Sequence, residues 1–374
     1  MTSTAKLTKA VRQCVTGLTA LMFLTAVASP ATGQVLERDG DLRADVFARL
    51  IFSPRDSDRY CVPTREALEV WRQAVDQTVQ GNLTDPAGLL QTFAPCPPSP
   101  PSYKVVRYRD TPSKRLYHLL VEVDDDLNPT SVTGWGTYVF DPDPARELSI
   151  EVPHPIADRF TERQGVDAFM QLRPRSLLLA GTHRCASLTE SPCTGPTPTC
   201  GMVRASDAPH GATPEDPTVT NAFQIVHEVL FAVIPRTVYI QLHGNASCNA
   251  DLLLSNTDSE FTVVPGGNIE RLQSSLEALV VTPAPDPPLS FRMCSSRPEP
   301  PCNLCGTNNV QGRWTNGSVE NACHIPARAL PAEQFIHIEQ TLRMREEDQE
   351  PRDPPLHQVL IRAIENTIFT QEEP

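Results

Sequence analysis

Three histidines in this chain stand where strand-like runs give out. ELSIEV, ending at Val152, is followed by His154, Asp158 and Glu162; SLLLAG is followed by His183 and Arg184; TVYIQL runs directly into His243 and Gly244. Ligands of open α/β sheets sit beyond the carboxyl ends of the strands, so the three clusters outline one crevice. Histidines and carboxylates converging from separate strand ends are what a catalytic zinc needs: three protein ligands, with a fourth position left for water. Asp158 lies four residues after His154, close enough for one loop to offer both to the same ion. A plainer reading stands beside this one. A lone histidine is more often a surface or capping group, and DRFTE reads equally as a helix N-cap with an acidic first turn. In IVHEVL, His227 and Glu228 lack the second histidine of HExxH, which excludes a zincin helix.

A crevice of this kind needs a sheet to carry it. TERQGVDAFMQL places Val166, Phe169 and Met170 on one helical face, SLLLAG reads as a buried strand, NAFQIVHEVLFAV as a second helix and TVYIQLHG as another strand. Strands separated by helices of this length form crossover units and a largely parallel sheet. Upstream, YKVVRYR, LYHLLVEV, GTYVF and ELSIEV are short, rich in β-branched and aromatic residues and punctuated by turn formers, and they read as antiparallel strands leading into the main sheet. Downstream come the helix NIERLQSSLEALVV, a Cys-rich loop over 294–323, the strand QFIHIE and a last amphipathic helix, LHQVLIRAIENTI. In that last strand Phe335, His337 and Glu339 alternate onto one face while Ile336 and Ile338 take the other. Residues 185–217 interrupt the pattern as a long surface insertion, whose SDAPHG offers Asp207 and His210 either as a polar wall of the site or as a mere disulfide-loop turn. Residues 34–102 read as helical and irregular, ending in the proline cluster APCPPSPPS, a linker to an α/β domain over 103–374.

Composition bounds the function. With 374 residues, 40% of them hydrophobic, the chain can build one large core or two small ones. A formal charge of -13 without a clustered Lys/Arg patch excludes a nucleic-acid surface. Residues 1–33 read as a secretory signal: Lys6, Lys9 and Arg12, then the apolar run CVTGLTALMFLTAVA, then ATG before Gln34. That run is short of the roughly 20 residues that span a bilayer, so the expectation is a secreted or periplasmic protein with no stable membrane anchor. Of the 11 cysteines, Cys14 belongs to this segment, and the even remainder points to disulfides. CNLC, at Cys302 and Cys305, is a weak metal candidate because no second CxxC accompanies it. Sequons at Asn82, Asn245 and Asn316 are glycan acceptors only in a eukaryotic secretory pathway.

The order of these motifs, a His–acid loop after a strand, a later strand–His–Gly and a late strand–Glu before a C-terminal helix, resembles the zinc metallocarboxypeptidase fold. The likeness is closer to its relatives, the poly-γ-glutamate hydrolases and N-formylglutamate amidohydrolases, and covers roughly residues 145–370. It implies a three-layer α/β/α fold of the phosphorylase/hydrolase type, to which the cysteine count adds disulfide-stapled loops. It also implies one zinc ion held by His154, Asp158 and His243, with Glu339 as general base. HPIADRFTE is similar to the hydrolases' His-acid-Thr-Glu loop, but the carboxypeptidase pair is His-x-x-Glu and no acid lies three residues after His154. Either Asp158 takes that place or Glu162 does, with Asp158 behind it. The Asn–Arg pair that holds a terminal carboxylate is missing, and Arg184, beside His183, is the substitute, forking bidentately onto a substrate carboxylate. A salt bridge to Arg343 or Arg345 is the structural alternative for Glu339. The expectation is therefore metal-assisted hydrolysis of an amide in a small-molecule, peptide or polymer substrate bearing an acidic group. A metal-dependent esterase and a non-catalytic, disulfide-rich binding module are the alternatives.

Overall fold

The computed structural model describes residues 33–96, 103–124, 128–193, 198–211, 221–246, 248–294, 302, 304–328, 333–346, 351–367 and 369; the expected signal segment up to residue 32 and most of the proline cluster lie outside the described residues. Ten strands form one mixed sheet: β1 (Leu36–Gly40), β2 (Tyr103–Asp110), β3 (Leu116–Glu122), β4 (Thr137–Phe140), β5 (Arg146–Val152), β6 (Pro174–Leu179), β7 (Val238–Gly244), β8 (Leu252–Ser255), β9 (Phe291–Met293) and β10 (Phe335–Gln340). Their order is β1-β2-β3-β4-β6-β5-β7-β10-β8-β9. The centre, β6-β5-β7-β10, is parallel, with β4 antiparallel to β6 on one flank and β8 antiparallel to β10 on the other.

Two strands differ from the sequence-based expectation. ELSIEV is β5 and runs parallel to both neighbours, because helix α4 (Thr161–Leu172) carries the chain back over the sheet before β6. LERDG, in the segment expected to be helical and irregular, is the edge strand β1, parallel to β2. Its polar side chains are largely exposed, so no hydrophobic alternation marks it.

Side-chain alternation divides the sheet into two apolar faces. Leu148, Ile150 and Val152 of β5, Val238, Ile240 and Leu242 of β7, and Ile336 and Ile338 of β10 face one core, covered by α4, α6 (Asn268–Ala278), α8 (Leu356–Asn366) and the short α1 (Leu42–Asp45). Tyr239 and Phe335 face the other, with α2 (Arg65–Val79), α3 (Thr84–Gln91) and α5 (Ala222–Val233); the short α7 (Val310–Thr315) lies against α5 and β10. Helices on both faces make the three layers. Trp71 of α2 is fully buried among Tyr103, Trp135 and Tyr138 and donates its Nε1–H to the Ala222 carbonyl at 3.0 Å, so α2 shares this core with the sheet.

All ten cysteines after Cys14 are paired: Cys61–Cys96, Cys185–Cys200, Cys193–Cys323, Cys248–Cys302 and Cys294–Cys305. The two cysteines of CNLC belong to different bridges, which removes them as metal ligands. No helix among the described residues is long and apolar enough to cross a membrane. Thiol titration of denatured, unreduced protein should find none of these ten cysteines reactive, and reduction should release all ten; ten free thiols before reduction would contradict the fold's loop architecture.

Candidate metal centre

Toward the carboxyl ends of the parallel strands, the α5-side face turns polar while staying buried. Beyond Tyr239 and Phe335, the same alternation brings Gln241 and His243 of β7 and His337 and Glu339 of β10 to this face, all four buried. Register aligns them: His243 pairs with Glu339, Gln241 with His337, and Gln241 with Glu151 of β5 on its other side.

Hydrogen bonds then fix which ring nitrogens are free. The Gln241 amide donates to Glu151 Oε2 at 2.9 Å and to Gln311 Oε1 at 3.2 Å. A carboxylate only accepts, so the amide orientation is set, and its Oε1 faces His243 Nε2 at 2.7 Å. That nitrogen carries the proton, and Nδ1 of His243 is left with its lone pair. His154 is held the same way: its Nε2 lies 2.9 Å from Asp207 Oδ1. Nδ1 of His154 lies 3.1 Å from Asp158 Oδ2 and 3.2 Å from His243 Nδ1, which is itself 3.5 Å from Asp158 Oδ2. Two ring nitrogens and a carboxylate oxygen thus converge on one point. Two lone pairs at this separation repel unless a proton or a metal cation lies between them, and the group can hold a metal ion.

His154, Asp207 and His210 are also mutually close enough to share an ion. That arrangement would use the protonated edge of His154 and an Asp207 already gripped by Arg184 through Nε at 3.1 Å and Nη2 at 2.7 Å and by His210 Nδ1 at 3.2 Å. The first set is the better centre. Asp207 instead orients His154, as Gln241 orients His243. Arg184 grips Asp207 Oδ2 with its Nε and one hydrogen of Nη2, and its other end, Nη1 at 3.5 Å from His154 Nδ1 and the second Nη2 hydrogen, stays unused at the cavity. His183 lines the cavity with its Nδ1 accepting from the Cys185 amide at 3.0 Å.

Charge follows geometry. Burial and the Arg184 charge push the His154 pKa down, but Asp158 and Asp207 outweigh them and it ends raised. Burial, then His337, holds His243 well below the usual range, hence neutral. Burial works against ionising Asp158, yet His154 and His243 pull it far down; Arg184 and His210 do the same for Asp207. Burial raises Glu339 despite its contact with His337.

The loop that delivers Asp158 is tightly wound. The Asp158 amide donates to the His154 carbonyl at 2.9 Å, and Ile156 and Phe160 sit at φ 57° and 72°, a left-handed region costly for bulky residues. Glu162 lies behind this loop, its Oε2 3.4 Å from the Ile156 amide, so Asp158 and not Glu162 joins the metal-ligating group. Thr161 Oγ1 has no partner and α4 starts without a side-chain cap, so the N-cap reading is not realised. Arg345 braces the loop by donating to the Arg159 carbonyl, and its guanidinium lies so close to Gly244 that a Cβ there would come within 2.4 Å of Cζ. The glycine after His243 makes room for that brace.

Glu339 makes no ion pair with Arg343, which pairs with Asp251, or with Arg345. Its Oε1 lies 3.2 Å from His337 Nε2, while its Oε2 and His337 Nδ1 are buried without partners. His337 was not singled out from the sequence for the site, though it shares the strand alternation of Glu339. The centre opens into a cavity of about 530 Å³ whose walls include Arg55, His183, His210, Asn245 and Asn308. A larger depression, about 760 Å³, runs along α6 and has no histidine in its lining; its size carries no chemistry. Of the sequons, Asn245 and Asn316 are buried, and Asn316 Nδ2 donates to the Asn256 carbonyl at 2.7 Å.

Comparison with protein-family models, with curated proteins and with solved structures finds no match for this chain. The geometry of the site carries the functional reading.

Purified protein should bind one metal ion, and His154→Ala or His243→Ala should abolish stoichiometric uptake, because a three-ligand site loses most of its affinity with one ligand gone. Asp158→Asn should weaken binding strongly while Glu162→Gln leaves it intact. Gln241→Met, which touches no ion, should cost about 10–100-fold in affinity by freeing the His243 ring. Competition titrations should also show affinity falling as pH drops through the raised pKa of His154, since the metal must displace that proton.

Proposed function

We propose that this chain is a zinc-dependent hydrolase that cleaves an amide bond with activated water. One observation carries the reading: His154 Nδ1, His243 Nδ1 and Asp158 Oδ2 meet within 3.1–3.5 Å of one another at the floor of a cavity, with an unpartnered, buried carboxylate oxygen of Glu339 on the adjoining strand. Two imidazoles and one carboxylate, with room left on the cavity side, suit zinc. Zinc held there supplies Lewis acidity, making water reactive near neutral pH and polarising a carbonyl.

The protein's own residues do the rest. Asp207 and Gln241 hold the two rings with Nδ1 turned to the centre. His337 keeps Glu339 Oε1, so Oε2 is free to take a proton from the attacking water and return it to the leaving nitrogen. Burial raises the Glu339 pKa toward the range where a carboxylate can do both. The motif order, similar to that of poly-γ-glutamate hydrolases and N-formylglutamate amidohydrolases, favours an amide over an ester. Arg55, His210 and the spare Nη1 of Arg184 favour a substrate with an acidic group. Five disulfides fit a secreted or periplasmic enzyme.

Elemental analysis of purified protein, run beside a panel of amide and ester substrates, tests the proposal. Bound zinc with amide hydrolysis is expected; ester hydrolysis alone would reassign the bond, and bound zinc with no turnover would leave a binding module. Glu339→Gln should keep metal and fold but lower kcat by roughly 10²–10⁴-fold, the usual worth of a positioned proton shuttle. An unchanged kcat would remove Glu339 from the mechanism.

A further inference from the structure

We infer that Asn245 is a further catalytic residue, whose side-chain amide donates a hydrogen bond to the substrate oxygen that becomes negative when the carbonyl is attacked. The inference rests on the hydrolase reading above and extends it to a residue that no motif in the sequence marks for catalysis.

Asn245 lies just past the end of β7, two positions after His243, and its backbone amide extends the strand ladder by donating to the Gln340 carbonyl at 2.8 Å. Its side-chain Oδ1 accepts from the Cys248 amide at 3.1 Å. An N–H can only donate, so the oxygen must face it, and Nδ2 points the other way. That Nδ2 is buried with no hydrogen-bond partner, in a residue only 8% exposed that lines the cavity with His243 and Glu339. Native proteins rarely leave a buried donor unpaired, and where they do a bound group commonly completes it. The Cys248–Cys302 bridge anchors the residue whose backbone amide holds Asn245 Oδ1, so the donor is in place before any substrate arrives.

The chemistry asks for such a donor at this point. Water attacks the carbonyl carbon and forms the new C–O bond. Its proton goes to Glu339 Oε2, and the carbonyl π pair moves onto oxygen. When that pair returns, the C–N bond breaks and Glu339 passes the proton to the leaving nitrogen, giving a carboxylic acid and an amine. A donor already oriented toward the developing oxyanion costs no reorganisation during the step, and removing one such donor typically lowers kcat by roughly 10²–10³-fold.

The test uses the full mature chain loaded with cobalt(II), whose visible spectrum reports on its ligands, and acetate as the probe: one oxygen can reach the metal while the other accepts from Asn245. Asn245→Ser keeps an acceptor for the Cys248 amide but cannot reach the cavity, and Asn245→Ala removes both roles; neither adds a charge that would repel the anion. Both should bind cobalt at the wild-type stoichiometry yet need at least about tenfold more acetate for the same spectral change, and kcat on any amide found in the substrate panel should fall with little change in KM. Wild-type acetate titration in both variants, or a cobalt-loaded wild type whose spectrum acetate leaves unchanged, overturns the role of Asn245 and leaves the metal centre standing. A wild type that takes up no cobalt overturns the hydrolase reading and this inference with it.

Discussion

Gln241 lies between a buried carboxylate and a buried imidazole, and because Glu151 can only accept, its amide can turn only one way. Everything chemical at the centre follows from that turn. It puts a proton on His243 Nε2 and bares Nδ1 toward His154 and Asp158. Glu151 is anchored in turn by His227 Nδ1 at 2.7 Å, and His227 Nε2 by Thr315 Oγ1 at 2.8 Å. Gln311 bonds Gln224 at 2.7 Å, Gln224 bonds Glu228 at 3.1 Å, and Glu228 pairs with Arg72, so the network reaches from α7 through α5 to α2. Leaving a buried polar group unpaired costs about 1–3 kcal/mol, so an apolar residue at 241 would strand several groups at once. The polar layer is thus both the mortar between α5, α7 and the sheet and the device that sets a tautomer.

The opposite face of the same strands does different work. Its apolar side chains, Ile150, Ile240 and Ile338 among them, are fully buried under α4, α6 and α8. This core holds the strand ends in register while the 154–160 loop carries two bulky residues in left-handed conformations. Strain of that kind persists only where the surroundings over-determine it. Here they do: Arg345 clamps the Arg159 carbonyl from one side, and Glu162 reaches back to the Ile156 amide from the other. A residue read as a possible ligand and one read as a possible salt-bridge partner turn out to be the scaffolding of the Asp158 loop.

How much of this was legible in the sequence depended on whether a residue announced itself by position along the chain or by a partner far away. His154, Asp158 and His243 come after strand-like runs, and that position brings them into one crevice, whereas Glu339 was named through the resemblance in motif order. Glu151 and Gln241 were invisible to the same logic, because inside a run such as TVYIQL a single polar residue reads as an interruption rather than as a buried hydrogen-bonding node. The tie between Arg184 and Asp207 was hidden for a related reason: the two lie 23 residues apart across an insertion with no periodicity. The edge strand β1 has no apolar face to read. Disulfide pairing could not be deduced from ten cysteines at all.

Floor and wall of the cavity are built by different means. On the floor, His243 and Glu339 sit on β7 and β10, where backbone ladders and an apolar core fix each Cα, while His154 and Asp158 hang from the braced loop that leaves β5. The walls are loops: His183 and Arg184 immediately precede Cys185, Thr199 precedes Cys200, Asn245 is three residues before Cys248, and Asn308 is three after Cys305. Such segments bury little apolar surface of their own. A covalent bridge at each supplies the order that packing does not, and it does so before a substrate binds, which is when preorganisation helps affinity most. Because the bridges lie outside the strands, residues between them can change without disturbing the register that places His243 beside Glu339. Under the proposed function, selectivity belongs to the stapled walls, and metal binding and proton transfer to the strand ends and the braced loop beyond β5.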